Sequence, residues 1–410
     1  ALVMPEAESV EKNLELNQHL FTLKQPLQPQ QSVLLNASIS YQQPKLWPAA
    51  LHQIVTSGFT YFRSNPVMPN IGFNPDFRLR DNTRRLEMGL PALPDIKPTT
   101  HISNEQLAAH PYSSAAQGQY KRMQVHSIIT TTDRHEVVAP GKLLSSTVKG
   151  NRATYEFKTG QPIRDIAAWF SLPYSSMTDY ADNTELHVYA PELSTARYKE
   201  AAAINLQGMK DTLTWFNANV SSYQGARLNL IAIPDLGATG YAMPHNMLIG
   251  HSVGFRALPT FDAETSKSLD QRYRRAVHET AHQWFGHDVG NGVDWDSTFL
   301  IESMAKYIEL VILEQHRGQK ELDALIHYEY LRFLYASSSD TTKPVALIDA
   351  TSAHDMYSRA TLVFTILRAE IGDKPIVSSL KTLWREHKYP KAPASSVDFI
   401  RLLKQATTPE

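Results

Sequence analysis

The segment Val277-His278-Glu279-Thr280-Ala281-His282 constrains this chain more than any other. Histidines at i and i+4 on an α-helix share one face, a turn apart, where both imidazoles can reach one tetrahedral zinc ion. Glu279 is rotated about 100° from His278 on the same helix, beside the ion rather than on it. That position suits a base that takes a proton from water. The pattern predicts a helix from about Ser268 to Phe285 and another from about Thr298 to His316, ended by Gly318. A site of this type needs a third protein ligand and an open fourth position. Glu302 is the leading candidate. It opens the second helix beside the buried stripe Ile301, Ala305, Ile308 and Ile312, where a lone carboxylate is costly unless a cation meets it.

Composition narrows the alternatives. The chain has 410 residues, enough for two domains with sizeable cores. Forty basic against forty-one acidic side chains leave none of the basic excess expected of a duplex- or membrane-surface-binding protein. No stretch approaches the eighteen apolar residues of a membrane span. The absence of cysteine excludes disulfides, thiolate metal sites and a cysteine nucleophile, whereas sixteen histidines favour a metal. The chain starts at Ala1 without a signal-peptide pattern, so it is expected to be a processed or excised piece.

The first part of the chain is punctuated by proline, which suits edge strands and turns rather than helix interiors. Short β-rich runs are expected at Ser32–Tyr41 and Phe59–Phe62. A meander follows from Met123 to about Tyr189, with a hairpin turn at Gly150-Asn151. After Pro191 the periodicity changes. Ser194 or Thr195 can cap a helix carrying Leu206, Met209, Leu213 and Phe216, and Leu228–Ile233 is a short apolar strand. Further helices fit 320–336, 357–371 and 395–405. The chain therefore reads as an α+β multidomain protein, with a β-sandwich over 1–191 and a mixed, mostly helical domain over 192–410.

The stretch HETAHQWFGHDV resembles the zinc helix of the aminopeptidase N-like gluzincins. The resemblance implies a thermolysin-like catalytic domain, one zinc ion per chain held by His278, His282 and Glu302, and Glu279 as general base. Nineteen residues separate His282 from Glu302, one more than is usual in that family, which places an insertion around Gly290–Val293. Asp294 and Asp296 are less favoured ligands because they precede the helix. Met356-Tyr357-Ser358-Arg359-Ala360 looks like the segment where the family places a tyrosine that stabilises an oxyanion, which makes Tyr357 the candidate. The family's Gly-x-Met-Glu-Asn strand corresponds to Tyr241-Ala242-Met243-Pro244-His245-Asn246, and Pro244 stands where a glutamate would hold a substrate's α-amino group. Residues 241–245 are thus expected to bind substrate with weakened selectivity for a free terminus.

The segments 68–91 and 194–233 are similar to the peptidase half of ABC-type permease–peptidase fusion proteins. This implies an extracytoplasmic module within a larger membrane-transporter polypeptide. The expected function is zinc-dependent hydrolysis of peptides. The alternative is a zinc-containing binding or sensing domain of a transporter with little turnover, to which the missing amine anchor points. His287 and His354 read as surface or supporting residues, and His245 and His251 as possible cleft residues.

Overall fold

The computed structural model describes residues 1–15, 17–42, 53–56, 58–72, 79, 81–92, 121–235, 240–255, 269–290, 298–338 and 345–407. Asp294, Asp296, most of the insertion around Gly290–Val293 and part of the 68–91 segment lie outside these residues.

A five-stranded sheet carries the site. Its strand order is Ser175–Ala181, Thr184–Ala190, Arg227–Ile233, Asn246–Gly250, Gly240–Met243. The three inner strands run parallel and the two outer ones antiparallel to their neighbours. Parallel neighbours require a crossover, supplied here by helix Ala196–Asn219 between Thr184–Ala190 and Arg227–Ile233. The expected boundary between residues 191 and 192 therefore falls inside a hydrogen-bonded βαβ unit. The compositional change at Pro191 marks the start of the crossover helix, not the end of a sheet. Arg227–Ile233 is almost uniformly apolar because both its faces are covered. Leu228, Leu230 and Ala232 pack towards the helices, while Ile231 and Ile233 face the N-terminal strands.

The N-terminal strands form two larger sheets, besides three two-stranded pairs. One has the order Gln53–Val55, Thr60–Arg63, Ala168–Leu172, Glu136–Val138, and the other Lys142–Lys149, Arg152–Lys158, His126–Thr132. The expected turn at Gly150-Asn151 joins the last sheet's first two strands, with Gly150 at φ 62°. Alternation along Ala168–Leu172 splits its side chains between two cores. Ala168, Phe170 and Leu172 meet Tyr189, Ile231 and Met243 of the five-stranded sheet. Trp169 turns the other way, towards Val137 and Phe157. Of the β-rich run expected at Ser32–Tyr41, only Asn36–Ala37 is a strand, paired with Leu2–Val3.

The motif helix spans Gln271–Ala281, shorter than expected. Asp270 caps it by accepting the Arg272 amide at 3.0 Å. Beyond Ala281 the chain turns through Gly286, whose φ of 139° suits glycine. A 3₁₀ turn at Thr298–Leu300 leads into helix Glu302–Arg317, ended at Gly318 as expected. Helices Gln319–Ser337, Ala360–Ile371 and Ser396–Ala406 match their expected positions, the last with a capping box of Ser395 and Asp398. A π-helical turn, His354–Arg359, precedes Ala360–Ile371. Helix Asp373–His387 has no counterpart in the sequence reading.

Candidate active site

The motif helix and helix Glu302–Arg317 lie side by side and bring His278, His282 and Glu302 together. Their ligand atoms all fall within 4.8 Å of one another. His278 Nε2 lies 3.2 Å and His282 Nε2 3.5 Å from Glu302 Oε2, and the two imidazole planes are perpendicular. Each histidine's tautomer is fixed from behind. His278 Nδ1 donates to Glu309 Oε1 at 2.7 Å, and His282 Nδ1 donates to the Phe285 carbonyl at 3.1 Å. In that tautomer two Nε2 lone pairs face a carboxylate, an arrangement that needs a cation between them. Tetrahedral zinc with bonds of about 2.0–2.2 Å sets its ligand atoms about 3.4 Å apart, so the residues present fit that metal. Without a metal, a proton on His282 can play the part of that cation. Burial opposes the His282 imidazolium, yet the Glu302 charge outweighs it and raises His282 to about 9. Burial likewise opposes the Glu302 carboxylate, and the two histidines hold it far below the ordinary range.

Behind His278 stands a fully buried ionic network that the sequence reading missed. Glu309 accepts from Arg274 Nε at 2.6 Å and from Lys306 Nζ at 2.5 Å. Glu329, from the following helix, accepts from Arg274 at 2.6 Å, Lys306 at 2.8 Å and Ser358 Oγ at 2.8 Å. The two buried cations balance the two buried carboxylates, and half-exposed Arg332 adds a further bond to Glu329 at 3.0 Å. Glu302, Lys306 and Glu309 recur at helical spacing inside an otherwise apolar run, and Arg274 precedes His278 by one turn. Those two patterns were the signal available.

Glu279 is buried, and burial raises its pKa. Its carboxylate lies against the edge strand at Gly240, where an added Cβ would sit 2.3 Å from Oε1. A side chain at 240 would push the Glu279 carboxylate out of its place, a coupling the sequence alone did not disclose. Tyr357 projects from the π-helical turn, its ring 5.9 Å from that of His278. Burial and the adjacent Glu302 carboxylate raise its pKa, so the hydroxyl remains a proton donor.

Gly240–Met243 is an edge strand clamped to the end of the motif helix. Gln283 Nε2 donates to the Met243 carbonyl, and Gln283 Oε1 accepts the His245 amide, both at 3.1 Å. Pro244 and His245 form the two-residue turn before Asn246, with His245 at φ 67°. Of the expected substrate-binding residues, Ala242 lies on the Gly240 side by alternation. Tyr241 turns to Arg63, which donates to its hydroxyl at 2.8 Å, and Met243 is core. The His245 ring accepts the Gly141 amide at 3.2 Å. His251 packs its ring against Tyr198 and Phe255. His287, expected as a surface or supporting residue, has buried ring nitrogens.

Residues 204–409 match the model of the peptidase family M1 domain, which is half of the chain. The chain belongs to peptidase family M1. Among its M1 relatives is "Probable aminopeptidase 2" of Sulfurisphaera tokodaii, 27% identical over 45% of this chain and 24% of that protein. "Endoplasmic reticulum aminopeptidase 2" of Homo sapiens is 26% identical over 42% of this chain and 18% of its own length. "Glutamyl aminopeptidase" of Bitis rhinoceros is 26% identical over 54% of this chain and 23% of its own. The chain thus spans a quarter or less of the length of these relatives.

Proposed function

We propose that this chain is the peptidase module of a zinc-dependent, aminopeptidase N-type metallopeptidase. The observation that carries the reading is the convergence of His278 Nε2, His282 Nε2 and the Glu302 carboxylate beside the buried base Glu279. Zinc held by these three residues would supply Lewis acidity towards water and a peptide carbonyl. Glu279 takes the proton of the attacking water and returns it to the leaving amine, a role that suits a carboxylate whose pKa burial has raised. The Tyr357 hydroxyl donates to the oxyanion that develops on the scissile carbonyl. The edge strand through residues 241–245 aligns an extended peptide by main-chain pairing.

The proposal extends to architecture. The two N-terminal sheets share an apolar core, which supports a β-sandwich leading into a thermolysin-like catalytic part. The resemblance of segments 68–91 and 194–233 to permease–peptidase fusions supports an extracytoplasmic module within a larger transporter polypeptide. Among the described residues no helix is long and apolar enough to cross a membrane.

Pro244 at the amine-anchor position favours a second reading, a zinc-containing binding or sensing domain. Turnover of a peptide panel by the zinc-loaded protein, with Glu279→Gln as control, separates the two. Hydrolysis that Glu279→Gln abolishes supports the peptidase. Zinc retention in both proteins with turnover in neither would leave the sensor.

A further inference from the structure

Below the Pro244-His245 turn, on the side of the motif helix facing the N-terminal strands, lies a cavity of ≈ 300 Å³. Its charged lining residues are mostly cations. Arg122, Arg164 and Lys388 reach it from three separate segments, and among the described residues lining it the one carboxylate is Asp288. Asp288 is already engaged, accepting from Trp384 Nε1 at 3.0 Å and lying 3.9 Å from Lys388 Nζ. Arg122 Nη1 is buried without a protein partner, as are both ring nitrogens of His287. A buried guanidinium nitrogen left unpaired costs desolvation energy, which an anion would recover. Burial lowers the pKa of both arginines, and the carboxylates near them, Asp288 and Asp165 for Arg122 and Asp165 for Arg164, offset that only in part.

We propose that this cavity binds a small oxyanion, a phosphate or a carboxylate, held by Arg122, Arg164 and Lys388. The geometry ties such an anion to the metal site. Arg164 Nη1 donates to the Gly286 carbonyl at 2.7 Å and Arg122 Nη2 to the His287 carbonyl at 3.2 Å. Gly286 directly follows Phe285, whose carbonyl orients His282. The anion therefore shares its arginines with the loop that sets a metal ligand. Its source is either a free inorganic ion or an acidic group on a bound peptide.

The probe is inorganic phosphate, titrated calorimetrically into the full chain at constant ionic strength, with chloride as the balancing anion. Saturable binding at one site per chain is expected, and it should persist after zinc is removed with chelator. Arg122→Gln should weaken it about tenfold or more, the worth of a charge-assisted hydrogen bond. Lys388→Gln, at a partly exposed side chain that lies over Trp384, should weaken it in the same direction and guards against misfolding of the arginine variant. Absence of saturable binding, its loss with chelator, or unchanged affinity in both variants overturns the site. Titrating Glu279→Gln with a peptide bearing an N-terminal glutamate, with and without saturating phosphate, then assigns the source. Competition places the peptide's own carboxylate in the cavity, and independent binding assigns it to a free anion. The phosphate titration involves no hydrolysis, so it succeeds or fails separately from the peptidase reading.

Discussion

At the scale of single residues, the roles proposed for three ligands and a base can be separated. His278→Ala combined with His282→Ala should abolish the near-unit zinc stoichiometry expected of the wild-type chain in metal analysis, whereas Glu302→Ala should weaken it less but markedly. Normal zinc content in Glu302→Ala would hand the third position to Asp294 or Asp296. Glu279→Gln keeps the shape of the side chain and loses the base, so zinc should remain while hydrolysis falls by about two orders of magnitude or more. Tyr357→Phe removes one oxyanion donor and should cost on the order of 10²-fold in turnover; an unaltered rate would return the ring to a packing role. The grouping of His278, Glu279 and His282 was legible because one helix and its C-cap carry all three at a fixed spacing. That Tyr357 would lie beside His278 was foreseen only through a family resemblance, since nothing local marks a tyrosine whose neighbour lies on another helix. The closeness of Gly240 to Glu279 was illegible because it exists only once strand and helix have docked.

At the scale of elements, the motif helix and its neighbour are joined by charge as well as by apolar contact. Glu309 orients His278, so Glu309→Gln should lower zinc affinity by about 10- to 100-fold without touching a ligand, measured by competition with a chelating dye. Glu329 binds the next helix and the π-helical turn to the same network. Removing its charge in Glu329→Gln should destabilise the fold by about 3–5 kcal/mol, because Arg274 and Lys306 would stay buried and under-compensated. Burial opposes the Glu329 carboxylate, but Lys306 and Arg274 prevail and lower it from 4.5 to about 2. A depressed carboxylate contributes stability that is present above its unfolded value and lost as pH falls towards its folded one. Chemical denaturation of the wild type should therefore show a stability loss between about pH 4.5 and 2 that Glu329→Gln reduces. Helix positions were readable from periodicity, and the charged stripe at 302, 306 and 309 was there to be read. That Lys306 would meet Glu329 depends on how two helices pack, which spacing within either helix does not determine.

At the scale of the whole molecule, substrate preference follows from what surrounds the edge strand. A family aminopeptidase offers a carboxylate to the substrate's amine, and Pro244 offers none. The preference for a free N-terminus, about 10- to 150-fold for one charge-assisted contact, should largely disappear. Cleavage rates of one peptide with free and with acetylated N-termini test this. A free form favoured more than a hundredfold would mean that another acid has taken over the anchor. The α+β class and the order of β before helix were legible from proline usage and the change of period. The extent of each part was not, because a strand's partner in a parallel pair lies beyond a crossover helix. The four-stranded sheet, covered on both faces, has a mechanical consequence. Phe170 and Trp169 are neighbours in sequence yet belong to different cores, so neither half of the molecule can loosen without exposing a face of the other. The chain should melt in one step, with tryptophan fluorescence and zinc release coinciding, and a fragment starting at residue 192 should be insoluble, since it leaves Ile231 and Leu248 without their cover.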